Sequence, residues 1–143
     1  MAYWLLKSEA ETWSWDQQKA AGAKGAEWTG VRNYQARNNM RAMKDGDLGF
    51  FYLSGGDRSV VGIVKIVKEA HPDSTDPTGA WDCVDVAAVT DMETPVTLAD
   101  VKADTSLKDM VLVRNSRLSV QPVTAEQWRI VCRLGGLKTP PKA

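Results

Sequence analysis

The sequence predicts one α+β domain in which a sheet of five or six strands carries short helices at its edges. Three observations lead to this prediction. Apolar runs of strand length recur along the chain, helix-capping patterns separate them, and the 143 residues suffice for one core without any repeat or linker. The domain is expected to span residues 1–136, and the polar tail 137–143, "LKTPPKA", is expected to be disordered.

The first strand and the first helix follow from residues 2–25. "AYWLLK" is apolar and β-prone, and it ends in the polar triplet "KSE", as a strand would at its exit from the core. Ser14 and Gln17 have capping-box spacing, so a short helix should begin there. Gly22 and Gly25 then end that helix.

A second helix and a hairpin are predicted next. The helix should run from about Asn33 to Met43 and end at the turn "KDGD". "LGFFYLS" and "SVVGIVKIVKEA" read as strands joined by "GGDR". The second of these strands should be buried on both sides, in a small barrel or under helices, with two apolar faces: Val60, Val64 and Ile66, and opposite them Val61, Ile63 and Val67.

The C-terminal half continues the alternation of strands and helices. "HPDSTDPTG" is a polar loop and "AWDCVDVAAVTDM" a further strand. Thr97 with Asp100 predicts a short helix, and Thr124 with Gln127 predicts a last helix that stops at the glycine pair after Leu134. "SLKDMVLVRNS" fits helix or strand, and "RLSVQPV" alternates as a late strand does.

Charge and cysteine usage limit the possible functions. The net charge is zero and the pI is about 6.6, so nucleic acid could be bound only by a local site and not by a general positive field. Cys83 and Cys132 lie far apart, without zinc or redox spacing. Neither a signal peptide nor a membrane-spanning run is visible, which leads us to expect a cytoplasmic protein that does not act on membranes.

Catalytic and metal-binding patterns are weak. The single histidine, His71, precedes a proline in a turn, where a solvated loop residue is the usual outcome. Asp82 and Asp85 could join Glu9 or Glu11 in a carboxylate metal cluster, but a separation of three residues puts the two aspartates on opposite faces of a strand. We therefore predict no catalytic residue, no metal site and no cofactor.

Six tryptophans in 143 residues are an excess that needs an explanation. Trp4, in a strand, and Trp128, in the last helix, are expected in the core. Trp13 and Trp15 flank the start of the first helix, where a staple, a lid or a ligand contact are all open. Trp28 lies in no periodic pattern, so it could belong to the core or to a pocket, where an aromatic face stacks on a base with roughly 1–3 kcal/mol.

The helix that follows Trp28 has a basic face. Arg37, Arg41 and Lys44 share one side of it at spacings of four and three residues. Such faces are usually solvated surface. Here the face adjoins Trp28 and Arg32, which together would offer phosphate contacts beside a stacking platform.

Several of these segments carry a family resemblance. "YWLLKSEAETWSWD", "WTGVRNYQARNNMRAMKDGDLGFFYLS", "VVGIVKIVKEAHPD", "WDCVDV" and "LVRNSRLSVQPVT" are together similar to the EVE domain family, which has a PUA-like fold and is related to the YTH domain. The resemblance runs from about Tyr3 to Trp128. One departure is Ala10, where the family usually has proline after "KSE"; we expect a looser turn there and no change in chemistry.

The resemblance implies a small, strongly bent mixed β-barrel with flanking short helices and a pocket on its face. It also implies a partner, namely DNA or RNA that carries a modified base. By position, the residues around the pocket would be Lys7, Ser8, Trp28, Val31, Asn33 and Tyr34. We add the strand-end residues Tyr52, Ser54, Arg117 and Ser119, which could otherwise be simple caps. Phosphates would be contacted by Arg32, Arg37 and Arg41.

Three hypotheses on function remain open. The first is a non-catalytic reader that flips a modified base into the pocket. The second is an enzyme acting on nucleic acid or nucleotide, with Glu9, Asp85 or His71 as its base. The third is a module for another flat or anionic ligand, or for a protein. The kind of polymer, the modification, the oligomeric state and a closing role of residues 12–15 are left open by the sequence.

Overall fold

The computed structural model describes residues 2–142, which form one six-stranded mixed sheet with five short helices around it. The strands are β1 (Tyr3–Ser8), β2 (Ala26–Glu27), β3 (Leu48–Leu53), β4 (Ser59–Pro72), β5 (Asp82–Thr97) and β6 (Val120–Val123). The helices are α1 (Trp15–Ala20), α2 (Tyr34–Ala42), α3 (Leu98–Ala103), α4 (Val111–Arg114) and α5 (Ala125–Leu134).

The sheet has the order β2-β5-β4-β3-β1-β6, and only β1 and β3 run parallel. Parallel strands end at the same edge of a sheet, so this pair brings its last residues together. Lys7 lies beside Tyr52, and Ser8 lies beside Leu53. The polar ends of two strands therefore meet at one place, which is where the pockets described below are found.

The sheet is bent but not closed by hydrogen bonds between its edge strands. The register between β4 and β5 shifts at four places, and each such bulge bends the strands locally. Strands β2 and β6 form the two edges within the described residues 2–142. The α+β class and the bent mixed sheet are thus confirmed, with open edges in place of a fully paired barrel.

Two hydrophobic cores lie against the sheet. The first contains Leu5, Phe50 and Ile63 with Trp128 of α5, and the second contains the next residue of each strand: Leu6, Phe51 and Val64, with Met40 of α2. This alternation with burial on both sides explains why β1, β3 and β4 are continuous apolar runs. Burial of both faces of β4 is therefore confirmed.

The predicted grouping of residues on the two faces of β4 is wrong. Val60 packs in the first core with Ile63, whereas Val61, Val64 and Ile66 contact the second. The register shifts between Val60 and Gly62 and again between Ile63 and Val64. The first shift skips Val61 and offsets the two-residue period of β4, whereas the second places the extra residue, Val89, in β5. Simple alternation therefore assigns the residues of β4 after Val61 to the wrong side.

The helix starts that were predicted from capping residues are confirmed. All three predicted capping boxes are present, at Ser14, Thr97 and Thr124. Helix α2 begins after Asn33, whose Oδ1 accepts from the backbone N–H of Ala36 at 2.9 Å. The ambiguous segment forms a 3₁₀ turn (Thr105–Leu107) and the short helix α4.

The tail after Gly136 has contacts in the described residues. Leu137 packs against the first core, and the carbonyl of Pro141 accepts from Trp128 Nε1 at 2.8 Å. Disorder of this tail stays a prediction. In residues 2–142, no helix combines the length and the hydrophobicity needed to cross a bilayer.

Candidate functional site

The main pocket lies where β1 ends, between the loop that follows it and the segment around β2. It has a volume of about 430 Å³ and is open to solvent. Its wall consists of Lys7, Ser8, Glu9, Thr12, Trp13, Ala26, Glu27, Trp28, Thr29, Gly30, Val31, Arg32 and Ser119. This size falls within the range of small-molecule sites.

Trp28 belongs to both the core and the pocket, the two readings that the sequence left open. Its side chain packs edge-on against Phe51, with ring centroids 5.5 Å apart and an interplanar angle of 89°. Its backbone N–H donates to the carbonyl of Val84 at 2.8 Å, and the residue is only 6% exposed. Trp28 is therefore a rigid part of the pocket wall.

Trp13 forms a second aromatic part of the wall. Its Nε1 donates to Gln18 Oε1 at 2.9 Å, and the fully buried Gln18 in turn donates to the carbonyl of Val86. Ser8 Oγ donates to the carbonyl of Trp13 at 2.6 Å. The loop after β1 is thereby held against the sheet, with Thr12 and Trp13 on the pocket.

Trp15, by contrast, is turned away from the pocket. It packs against Phe51 and lies over Gly62, where a Cβ atom would be 2.1 Å from its ring. Its Nε1 donates to Asp91 Oδ1 at 2.6 Å, and this bond is the main reason why the pKa of Asp91 is lowered. Trp15 is therefore a staple between α1 and the sheet.

Asp73 holds the loop that carries Gly30 and Arg32. Its side chain is fully buried, and its Oδ2 accepts from the backbone N–H of Gly30 at 2.9 Å and from Arg32 at 3.1 Å. Gly30 has a φ of +83°, which non-glycine residues rarely adopt. Thr75 donates two further hydrogen bonds to the other carboxylate oxygen.

These donors keep Asp73 ionised. Burial pushes the pKa of its carboxyl upward, but the hydrogen bonds from Thr75, Gly30 and Arg32 outweigh burial and lower the pKa to about 2. Asp73 was not among the predicted site residues. It is 43 residues from Gly30 in the chain, and the sequence carries no signal that joins the two.

The basic face of α2, together with Arg32, forms what we call the α2 strip: Arg32, Arg37 and Arg41. Each arginine is engaged by the segment 73–82. Arg41 Nε donates to Asp82 Oδ2 at 2.6 Å, and Arg37 donates to the carbonyl of Ala80 at 3.1 Å. Phosphate contacts by these three residues stay a prediction.

Two predicted base-binding residues also belong to this region and do not line the main pocket. Asn33 caps α2. Tyr34 is 66% exposed and stacks on Trp81 with ring centroids 5.0 Å apart, and Arg37 lies over both rings. The "VRNY" block therefore divides: Val31 and Arg32 line the pocket, while Asn33 and Tyr34 fix α2 and its contact with the loop before β5.

A smaller cavity of about 260 Å³, the side pocket, shares Lys7 with the main pocket. It is lined by Lys7, Tyr52, Ser54, Arg58, Leu98, Leu112 and Ser116. Tyr52 and Ser54 were predicted to contact a base, but they face this second cavity. Arg117 is exposed and lines neither pocket.

The structure thus brings six predicted residues to the main pocket, namely Lys7, Ser8, Trp28, Val31, Arg32 and Ser119. It adds residues that were not predicted there, chiefly Glu9, Thr12, Glu27 and Thr29. Their signal in the sequence is their closeness to "KSE" and to Trp28. Sequence reasoning chose strand ends and the α2 motif, and it passed over the loops between them.

His71 is not the solvated loop residue that was predicted. It lies in β4, and its Nε2 is 2.7 Å from Asp85 Oδ1, with Cys83 Sγ 3.7 Å away. Ligand atoms of these three residues lie within 4.8 Å of one another and could hold a metal ion. In the metal-free protein, burial, reinforced by nearby carboxylates, raises the pKa of Cys83 to about 12, so the thiol is protonated there.

Asp82 and Asp85 are engaged by different partners, as expected of opposite strand faces: Asp82 contacts Arg41, and Asp85 contacts His71. Glu9 lies apart from them, on the main pocket. This arrangement agrees with the prediction that Asp82 and Asp85 lie on opposite faces of a strand.

A bent mixed sheet with flanking helices and a pocket at the ends of its parallel strands defines a PUA-like domain. The chain belongs to the EVE domain family, whose model matches residues 2–134. Human thymocyte nuclear protein 1 is 38% identical over 165 residues, covering 93% of this chain and 73% of that protein.

Solved structures agree with this assignment. A protein from Agrobacterium tumefaciens is 60% identical, with a TM-score of 0.95 over 100% of this chain and 99% of that one. The human THYN1 protein, in complex with 5-methylcytosine containing DNA, is 36% identical, with a TM-score of 0.87 over 99% of this chain and 100% of that one.

A more distant likeness concerns the fold alone. A YTH domain from Zygosaccharomyces rouxii, in complex with N6-methyladenosine RNA, is 14% identical, with a TM-score of 0.60 over 99% of this chain and 88% of that one. The predicted relation of the two folds is confirmed.

Proposed function

We propose that this protein is a non-catalytic reader of modified bases in nucleic acid, and that it takes the base into the main pocket. The observation that carries the proposal is the pocket itself, in which a tryptophan held by the core stands beside polar side chains. The similar human protein in complex with 5-methylcytosine containing DNA supports DNA as the polymer and a methylated cytosine as the base.

Trp28 would supply the stacking surface. Its ring is fixed by Phe51 beneath it, so little conformational entropy is lost when a base stacks on its exposed part. Stacking of a base on an aromatic side chain contributes roughly 1–3 kcal/mol. Trp13, held by Gln18, would close the pocket from another side.

Carboxylates on the pocket wall would select cytosine. Glu9 and Glu27 line the pocket, and a carboxylate accepts readily from the exocyclic amino group of cytosine. Glu27 already accepts from Ser74 at 2.5 Å, whereas Glu9 is an exposed carboxylate of the loop after β1. Glu9 is therefore our preferred base-binding acceptor. Asn33 is not proposed to bind the base, because its side chain already accepts from the backbone at the N-terminus of α2.

The affinity of this single domain should be modest. Extrusion of a base costs a few kcal/mol, which stacking and edge contacts must offset. One buried methyl group contributes about 0.8 kcal/mol, so the preference for 5-methylcytosine over cytosine should be about fourfold. Because the net charge is zero, only the local phosphate contacts should make binding depend on salt, with a slope of log affinity against log salt of about one for each contact.

The test is a titration of the protein with labelled oligonucleotides, single-stranded and duplex, DNA and RNA. Each carries one cytosine, 5-methylcytosine, adenine or N6-methyladenine at its centre. Binding is followed by anisotropy of the label and by quenching of tryptophan fluorescence. We expect saturable binding with a preference for one modified base, and a loss of about tenfold in Glu9→Gln if its carboxylate accepts from the base.

Two tryptophan variants separate the pocket from the rest of the surface. Trp28→Phe keeps an aromatic ring on Phe51 while reducing the stacking surface, so binding should weaken without unfolding. Trp81→Phe changes a ring that stacks on Tyr34 outside the main pocket, and it should bind as the wild type does. Equal effects of the two variants, or no binding of any oligonucleotide to folded protein, would contradict the proposal and favour a non-nucleic ligand.

A further inference from the structure

The side pocket contains two cations without a carboxylate partner. Lys7 Nζ donates to the carbonyl of Ser116 and lies 5.6 Å from the centre of the Tyr52 ring. Arg58, exposed at the other side of the cavity, makes no ion pair with any of residues 2–142. In the α2 strip, by contrast, Arg32 and Arg41 are each paired with an aspartate.

The two cations are close enough to oppose each other. Burial lowers the pKa of Lys7, and the charge of Arg58 lowers it further. A partly buried ammonium group close to a second cation is unfavourable in the free protein. A bound anion would relieve both the repulsion and part of the desolvation.

A tyrosine hydroxyl completes the set of donors. Tyr52 lines the cavity and is 2% exposed as a residue, and its hydroxyl is not one of the buried atoms without a partner in residues 2–142, so it reaches solvent. Burial raises the pKa of this hydroxyl, although Arg58 acts in the opposite direction, so it keeps its proton and can donate.

The turn that carries Arg58 is held in an unusual conformation. Arg58 has a φ of +42°, and it is the one non-glycine residue with a positive φ among those described. The backbone N–H of Leu98 donates to its carbonyl at 2.8 Å, and its own N–H donates to the carbonyl of Gly55. A glycine would adopt this conformation more easily, so arginine at this point carries a conformational cost.

From these observations we propose that the side pocket binds a phosphate group of the strand whose base occupies the main pocket, through Lys7, Arg58 and the Tyr52 hydroxyl. This inference rests on the proposed function. The two cavities share Lys7, so a base in one and a phosphate in the other lie next to each other. The phosphate would position the strand, and the main pocket would select the base.

The test combines a protein variant that lacks one charge with oligonucleotides that lack one backbone charge. Arg58→Gln keeps much of the side-chain length and removes the charge, and Arg129→Gln, on the exposed face of α5, is the matched control. The probe is the oligonucleotide preferred in the titration above, together with a series in which one phosphate at a time is replaced by an uncharged methylphosphonate.

We expect Arg58→Gln to weaken binding about five- to tenfold and to reduce the slope of log affinity against log salt by about one, with no effect of Arg129→Gln. One methylphosphonate position should weaken binding to the wild type and add nothing in Arg58→Gln. The preference between modified and unmodified base should stay unchanged in this variant. Arg58→Lys should restore much of the affinity.

Failure of this inference differs from failure of the proposed function. If oligonucleotides bind but Arg58→Gln changes neither affinity nor salt slope, the phosphate site is overturned and the base pocket stands. If no oligonucleotide binds, both are overturned. A titration with inorganic phosphate, followed by the NMR chemical shifts of Lys7 and Tyr52, shows whether free phosphate also binds the side pocket. If free phosphate shifts these signals but Arg58→Gln does not change the binding of oligonucleotides, the assignment of the site to a phosphate of the strand is overturned.

Discussion

The α2 strip and the side pocket each share one residue with the main pocket, Arg32 and Lys7, and they differ in what surrounds their cations. In the α2 strip, Arg32 reaches the buried Asp73, Arg41 reaches Asp82, and Arg37 lies over two aromatic rings. In the side pocket, Lys7 and Arg58 line one cavity, and no carboxylate of residues 2–142 is paired with either.

The same residue types therefore serve two purposes, structural in the α2 strip and ligand binding in the side pocket. The arginines of the α2 strip join α2 and the residue Arg32 before it to the segment 73–82, so their charges are already partly neutralised or bound in the folded protein. A phosphate that approached them would compete with carboxylates already in place. The cations of the side pocket have no carboxylate to displace; the acceptor already bound to Lys7 is the neutral carbonyl of Ser116.

Asp73→Ala tests the structural side of this comparison and should have the largest effect. It leaves Arg32 and the N–H groups of Gly30 and Thr75 without their acceptor, so the free energy of unfolding should fall by about 3 kcal/mol. Urea denaturation measures the loss. Asp57→Ala, a change of an exposed aspartate in the turn before Arg58, is the control and should be nearly neutral.

Acid should remove the same interaction more gradually. The pKa of Asp73 is about 2 in the folded protein against an ordinary value of 3.8, so its contribution is present above pH 4 and is lost as the pH falls towards 2. The loss should be about 2 kcal/mol. The difference between the unfolding curves of wild type and Asp73→Asn isolates it from other carboxylates; parallel curves would contradict this role.

Arg41→Gln should have a smaller effect. The pair with Asp82 is partly exposed, and such pairs contribute less than about 1 kcal/mol, the more so at high salt. Thermal unfolding at low and high salt would show whether the difference from wild type shrinks as expected. A loss as large as that of Asp73→Ala would mean that the exposed end of the α2 strip is as structural as its buried end.

Arg58→Gln should leave the stability within about 0.5 kcal/mol of wild type, because its side chain has no carboxylate partner to lose. The pKa of Lys7 should rise, since the neighbouring charge that lowers it is removed. NMR titration of the lysine side chains would detect that change. A clear loss of stability with an unchanged Lys7 pKa would remove the distinction between the two regions.

The candidate site was found only in part from the sequence. Local motifs led to Trp28, Lys7 and Ser8, because a strand end and an aperiodic tryptophan are visible without any knowledge of the fold. The family resemblance also implied Asn33 and Tyr34, which the structure places outside the main pocket. A residue within a conspicuous motif can serve the helix that carries it, and spacing along the chain does not separate that role from ligand binding.

The sequence by itself determined the elements of this protein. Apolar runs, three capping boxes and glycine turns act over a few residues, so they are readable from the chain and recur in the fold. The tertiary structure decided how distant residues pair: Asp73 with Arg32, Cys83 with His71, and Lys7 with Tyr52. Those pairings depend on sheet order and on the bulges of β4, which are set by packing of both cores at once and leave no local signal.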